Sequence, residues 1–372
     1  MKNEQISEFL QSRIAEGDFP SAVYLVAEKG AIVFEDALGF AVVEPERIEA
    51  RIDTIYDLAS LTKVLVTGLL CARVFENEGI INKISEYFNG FDKGEKGEIT
   101  IQNLLTHSSG FKSWKPFYLG KDIFSQIIEE NPENPVNSKI VYSDLNFILL
   151  SFLIEEIYGD SLDNIAEKII FEPLKLQNTF YNPPKNLQKR IAASEKGNEF
   201  EKNTCVEQGY DVTKYEFRDY QIWGEVHDGN CWFMYGVSGH AGLFSTVEET
   251  FKIAQQFLAN QTTILKPETC RLFRTNFTPG LNEARSIAFQ LAETPESTAS
   301  KALSKESFGH LGFTGTSLWI EPETERIFIL LTNRTHARAL PFVNINSVRR
   351  RFHEIAQESF SLKSQVPSPK SD

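Results

Sequence analysis

The chain has little of what a metal centre or a disulfide framework requires. Its 372 residues include four cysteines, Cys71, Cys205, Cys231 and Cys270, irregularly spaced and with no C-x-x-C pair. Zinc and redox sites lack their usual spacing, and reduced structural thiols are the simpler reading. The six histidines form no H-E-x-x-H or H-x-H pair, so neither a metal nor a cofactor is expected. Positive charge is also scarce. Lys and Arg number 38 against 51 Asp and Glu, a formal charge of −13, and no basic run exceeds Arg349-Arg350-Arg351. Such a surface repels phosphate backbones and anionic headgroups, which excludes nucleic acid and membrane as first-choice partners. The longest apolar stretch, Phe147 to Ile154, is closed by Glu155-Glu156 and falls well short of the ~20 residues that span a bilayer. Acids interrupt every candidate apolar core of a secretion signal near Met1, so a soluble, cytoplasmic protein is expected.

What is present is an ordinary globular composition, 41% hydrophobic and 24% charged. A chain this long can remove roughly three quarters of its unfolded surface from water, and two packed lobes are expected. An opening helix spans about residues 3–16. Two β-branched and aromatic runs, Ser21 to Ala27 and Ala31 to Phe34, flank Glu28-Lys29-Gly30 as a hairpin. Leu61 to Gly79 reads as a strongly apolar helix with Val64, Leu65, Leu69 and Phe75 inward. Helices follow at Ile101 to Leu105, Ile123 to Glu129 and Asp144 to Tyr158, while residues 182–235 are irregular. The last third returns to strands at Ser286 to Leu291, His310 to Ile320 and Arg326 to Thr332, before a helix over about 344–360. Strands at both ends imply an α+β fold with one sheet built from both termini. Residues 1–79 and 238–360 would form the sheet lobe, 80–237 an inserted helical lobe, and 361–372 a mobile tail. A groove is expected where the lobes meet.

Ser-x-x-Lys occurs at Ser60-Leu-Thr-Lys63 and at Ser109-Gly-Phe-Lys112. Ser60 opens the buried helix, where free N–H groups and the helix dipole favour developing negative charge. Lys63 lies one turn on, and desolvation would lower its pKa so that it could act as a base toward the serine. Ser109 sits in a turn broken by Gly110 and has no such support. The plain alternative is that Ser60 is a helix N-cap and Lys63 reaches solvent. Tyr142-Ser143-Asp144 stands where an extended segment gives way to a helix. The tyrosine could relay a proton, or it could simply pack, with Asp144 as N-cap. The third group, His310-Leu-Gly312-Phe313-Thr-Gly-Thr316, places glycines in a strand, a mark of close backbone or ligand approach. Its edge could offer an N–H to an oxyanion, and His310 a hydrogen bond or partial positive charge.

The ordered conjunction of Ser-x-x-Lys, Tyr-x-Asp and His-x-Gly resembles the three-motif pattern of the serine β-lactamase and penicillin-binding-protein superfamily. It is most similar to class C enzymes and their esterase and peptidase relatives. Leu104-Leu-Thr-His-Ser-Ser-Gly110, Thr314 to Ile320, Gly224-Glu-Val-His-Asp228 and Gly236 to Ser245 resemble further segments of that superfamily, over about residues 20–360. The resemblance implies a β-lactamase/transpeptidase-like fold and a metal-independent serine hydrolase. It further implies an acyl-enzyme on Ser60, proton movement by Lys63 and Tyr142, and an oxyanion held by the N–H groups of Ser60 and Phe313. Asp144 departs from the family's Asn and His310 from its Lys, which favours small esters, amides, peptides or D-amino-acid derivatives over β-lactams. Asp144, His310, Gly312, His227, Asp228 and Arg334 are the implied substrate contacts, Arg334 as a carboxylate anchor. Penicillin-binding or D-amino-acid peptidase activity is one alternative. A catalytically silent binding or scaffold protein is another. Oligomeric state is not legible.

Overall fold

A computed structural model describes residues 1–76 and 79–365, the side chains of 361–365 excepted. Strands are β1 Ser21–Glu28, β2 Ala31–Val42, β3 Ile48–Glu49, β4 Tyr56–Asp57, β5 Phe180–Tyr181, β6 Leu243–Ser245, β7 Gln290–Leu291, β8 Phe308–Leu311, β9 Ser317–Glu321 and β10 Arg326–Thr332. Helices are α1 Glu4–Glu16, α2 Leu69–Val74, α3 Ile101–Leu105, α4 Ile123–Glu129, α5 Asp144–Tyr158, α6 Leu162–Ala166, α7 Glu199–Glu207, α8 Gly229–Phe233, α9 Val247–Ala254 and α10 Asn346–Gln365.

The expected sheet forms from both ends of the chain. Its seven strands run in the order β3-β2-β1-β10-β9-β8-β7, and β1 pairs antiparallel with β10 from Ala22↔Thr332 to Glu28↔Arg326. Because successive side chains on a strand face opposite ways, β1 is buried twice over. Ala22, Tyr24 and Val26 meet Ile6 and Leu10 of α1 and Val348, Phe352 and Ile355 of α10. Val23, Leu25 and Ala27 face the main core with Val247, Phe251 and Ile253 of α9. A sheet covered on both faces explains the unbroken apolar run of β1. A second small sheet, β4-β6-β5, lies beside the first turn after Tyr56. Among the described residues no helix is long and apolar enough to cross a membrane, and all four cysteines are buried and free.

Four sequence expectations are corrected. The helix read over 61–79 is a 3-10 turn at Ala59–Leu61, a π turn at Lys63–Gly68, then α2, ending at Val74; Asn77 and Glu78 lie outside the described residues. Wide π turns of this kind concentrate at functional positions. At Gly68 an added Cβ would stand 2.7 Å from Ala288 Cβ, so the turn packs directly on the 286–289 segment. That segment is not strand before Gln290, because Ala288 takes a positive φ of 64° and donates its N–H to Leu105 O. Nor does a strand run through 310–320. Gly312 accepts from Gly315 N–H, and Gly315 has φ 109°, so the segment folds into the tight turn joining β8 to β9. The final helix runs past 360 to Gln365, and the rest of the expected tail, 366–372, lies outside the described residues.

Candidate active site

A cavity of about 660 Å³ opens between β8, the Ser60 turn, α7 and the start of α5, lined by residues that include Ser60, Tyr142, Asp144 and His310. Ser60 reaches it because the chain is bent just before it. Ala59 has φ 48°, a left-handed conformation uncommon for a residue with a Cβ, and its N–H is fixed by Asp57 Oδ1 at 2.8 Å. Ser60 caps no helix, since the position flanking the 3-10 turn is Leu58. Lys63 lies fully buried behind it and does not reach solvent.

An ammonium has three hydrogens to give; Lys63 is a hydrogen-bond partner of the Tyr142 hydroxyl and has three further acceptors. Nζ lies 2.9 Å from Ser60 Oγ, 3.0 Å from His240 O and 2.7 Å from Asp144 Oδ1. Burial pushes the lysine pKa down, but the Asp144 carboxylate and the Tyr142 phenol push it further the other way, and it ends above its ordinary value. The expectation of a lysine made neutral by desolvation is therefore corrected. Asp144 is the first residue of α5, whose cap position is Ser143, so it is not the N-cap either. Its carboxylate is committed to Lys63.

Tyr142 is held from several sides. Its ring centre lies 4.6 Å from that of His107, 5.7 Å from that of His310 and 5.0 Å from Lys63 Nζ, with the Arg285 guanidinium at 5.8 Å. His107 accepts from Ser143 N–H through Nδ1 at 3.0 Å, which fixes the corner after Tyr142. Burial, Lys63 and Arg285 hold the His310 pKa well below normal, so the partial positive charge expected there is absent. Its Nδ1 meets the carbonyl of Leu311 at 2.9 Å and must donate. That leaves Nε2, without a hydrogen-bond partner among the described residues, as an acceptor.

The turn after β8 is pinned to the segment before Ser60. Thr314 Oγ1 donates to Asp57 O at 2.8 Å and Thr316 Oγ1 to Leu58 O at 3.0 Å. Gly312 is required there, since an added Cβ would fall 2.6 Å from Leu58 O. Among the described residues nothing accepts from the Phe313 N–H, and Phe313 lines the same cavity as Ser60. Phe313 stacks on His227, with ring centres 5.4 Å apart and planes 18° apart. His227 pairs with Glu195 at 2.7 Å, and Asp228 takes the Cys231 N–H and His240 Nε2 at 2.8 and 2.9 Å. Arg334 donates to Phe313 O and Val343 O. The cavity thus gathers Ser60, Tyr142, Asp144, His227, Asp228, His310, Gly312, Phe313 and Arg334, with Lys63 beneath.

Sequence reasoning missed Arg349, Glu201 and Arg285, which also line the cavity. Arg349 was legible: four residues after Ile345 and three before Phe352, it falls on the buried stripe of α10. Its guanidinium donates to Gly312 O and Thr316 O, both at 2.9 Å, and burial, with Arg334 nearby, pushes its pKa down to about 9. Glu201 gave no signal, because α7 lies in the stretch read as irregular.

The family model described as Beta-lactamase matches residues 6–346. The chain belongs to the β-lactamase family. It is a serine hydrolase of that family, 30% identical to an Escherichia coli (strain K12) protein named "Putative D-alanyl-D-alanine carboxypeptidase" over 90% of this chain and 82% of the relative. A Salmonella typhimurium (strain LT2) protein of the same name is 31% identical, over 93% and 86%. The fold matches EstCE1, a hydrolase with promiscuous acyltransferase activity, at TM-score 0.73 and 17% identity over 95% and 98% of the two chains. It also matches a class C β-lactamase from Rhodobacter sphaeroides at 0.72 and 16% over 97% and 100%.

Proposed function

We propose that the protein hydrolyses small esters or amides through an acyl-enzyme on Ser60. The observation that carries this reading is the 2.9 Å contact of Lys63 Nζ with Ser60 Oγ at the floor of an open cavity. Lys63 rests as an ammonium, so it must release a proton before it can take the one on Ser60. Asp144 Oδ1, 2.7 Å away, receives it, and the free amine then takes the hydroxyl proton as Ser60 attacks the carbonyl carbon. The N–H groups of Ser60 and Phe313 take the oxyanion, each such donor contributing about 2.7 to 4 kcal/mol to the transition state. Tyr142, packed against the same lysine, gives its hydroxyl proton to the leaving group and is reprotonated by Lys63, which recovers its own proton from Asp144; water then attacks the acyl-enzyme by the reverse route, its proton ending on Ser60 Oγ as the acid leaves.

Neutral His310 does not attract a carboxylate, so a β-lactam's anionic group would have to rely on Arg334 and Arg349. This favours ester and amide turnover over nitrocefin turnover, and it keeps the named activity of the carboxypeptidase relatives as the neighbouring possibility. Ser60→Ala is expected to lose p-nitrophenyl ester hydrolysis and fluorophosphonate labelling together. Native-rate hydrolysis by that variant would overturn the reading.

A further inference from the structure

The turn that carries Phe313 rests on a buried charge with no counter-ion. Arg349 of α10 is 6% exposed, and its guanidinium meets only neutral acceptors. One terminal nitrogen donates to Gly312 O and Thr316 O, both at 2.9 Å, and the other to Asn346 Oδ1 at 2.8 Å. Its Nε has no hydrogen-bond partner among the described residues. No acid holds its pKa up; burial and the neighbouring Arg334 both push it down. Arg334 serves the same turn, its Nε donating to Phe313 O at 2.6 Å, and burial lowers its pKa with no acid opposing. Burying an unpaired charge is costly, and a second like charge beside it adds to the cost. Neutral donors fasten the other side of this turn, where Thr314 and Thr316 hold the chain before Ser60. Fastening alone therefore does not account for a guanidinium here.

Its placement gives the charge a use. Gly312 O and Phe313 N–H belong to one peptide group. The cis bonds of the described chain are Glu44-Pro45 and Leu340-Pro341, so this peptide is trans and its C=O and N–H point opposite ways. Arg349 thus stands behind the carbonyl, with the N–H directed away from it. Gly315 N–H donates to the same carbonyl at 3.1 Å, so two donors fix the plane of the peptide. A charged donor makes a stronger hydrogen bond than a neutral one. Bonds linked through one polar group polarise each other, so a cation on the carbonyl makes the N–H a better donor. Resting on the acyl-enzyme reading, in which Phe313 N–H takes the oxyanion, we infer that Arg349 is a positioning residue for that reaction: it fixes the Gly312–Phe313 peptide and, by its charge, strengthens the N–H that meets the oxyanion. In this role it touches neither substrate nor Ser60. Its effect extends to neutral substrates, which have no carboxylate to anchor.

The test compares p-nitrophenyl acetate with its thiono analogue, in which sulfur replaces the carbonyl oxygen. Sulfur accepts hydrogen bonds weakly, so the ratio of kcat/KM for the oxo ester to that for the thiono ester reads the oxyanion donors. Being a ratio within one preparation, it does not depend on the folded fraction. Removing a whole donor costs about 10²–10³ in rate, and weakening one in Arg349→Gln is expected to lower the ratio at least fivefold. Arg349→Lys, which keeps the charge, is expected to retain at least half of the wild-type ratio. A smaller fall in Arg349→Gln, or an equal fall in Arg349→Lys, overturns the proposal. So does a loss confined to KM for the anionic ester p-nitrophenyl hemiglutarate, which would make Arg349 a carboxylate anchor instead. Should Arg349→Gln not fold, Asn346→Leu removes one acceptor that holds the guanidinium and is expected to lower the ratio at least twofold; an unchanged ratio there overturns the proposal as well. Ser60→Ala separates the two readings. Turnover of both esters that survives in that variant defeats the acyl-enzyme, whereas turnover lost there beside an unchanged ratio in the Arg349 variants defeats this inference alone.

Discussion

Asp144 changes the character of its neighbour more than any other single residue. A buried lysine alone should lose its proton readily, and the motif Ser-x-x-Lys invites that reading. At 2.7 Å the Asp144 carboxylate reverses it, and the pair is buried enough, with Lys63 fully enclosed, that solvent screens it little. Asp144→Asn removes the charge that raises Lys63. Burial, the largest influence on the lysine, then acts unopposed by that charge, and the free amine is present at lower pH. The ascending limb of kcat/KM against pH is expected to move toward acid by at least one unit, and its plateau to fall, because Lys63 then loses its proton without Asp144 to receive it. An unmoved limb would show that ionisation of Lys63 does not govern acylation. The identities of Ser60, Lys63, Tyr142 and Asp144 were legible from motif order. The protonation of Lys63 was not, because it depends on a distance set by how α5 meets the π turn.

At the scale of elements, the site depends on one turn. The β8–β9 connection is fastened to the chain before Ser60 by Thr314 and Thr316, and to α10 by Arg349. Periodicity found α3, α4, α5 and β10 at their observed bounds, since each is long or regular enough for its apolar spacing to show. It misread 310–320 as one strand because residues on both arms, Phe308 to His310 and Ser317 to Glu321, are buried; the hairpin is marked only by Gly312 and Gly315. Gly315 combines φ 109° with a position where a Cβ would stand only 1.9 Å from Thr332 Oγ1. Gly315→Ala therefore carries both backbone strain and overpacking, together about 2–4 kcal/mol. Urea unfolding should register that loss. Ester turnover of the folded fraction should fall as well, through kcat, because Phe313 N–H is displaced. A stable variant with native kcat would show that the turn does not set the oxyanion contact.

For the molecule as a whole, one face of the sheet is closed by a helix, α10, that carries a buried histidine. His353 of α10 is fully buried, its Nδ1 donates to Thr298 O at 2.7 Å, and its ring lies against Trp319, Phe328 and Phe352. Burial pushes its pKa down to about 4, and His107 and His310 are likewise held well below normal. In the unfolded chain a histidine titrates near 6.5. Between those values the unfolded state binds the proton and the folded state does not, so the stability that neutral His353 permits is complete above about pH 6.5 and is lost as pH falls toward 4. The difference in pKa corresponds to about 3 kcal/mol. His227 has its pKa raised, by Glu195 against the effect of burial, and Glu201 is raised as well; both work in the opposite sense, so the total stability profile mixes signs. The contribution of His353 is isolated by comparison with His353→Gln, which has no proton to gain. The unfolding free energy of wild type relative to this variant should fall by about 2–3 kcal/mol between pH 7 and pH 4.5. A difference that stays constant across that range would mean that His353 is already protonated in the folded protein, and that α10 does not hold its face of the sheet through a neutral imidazole.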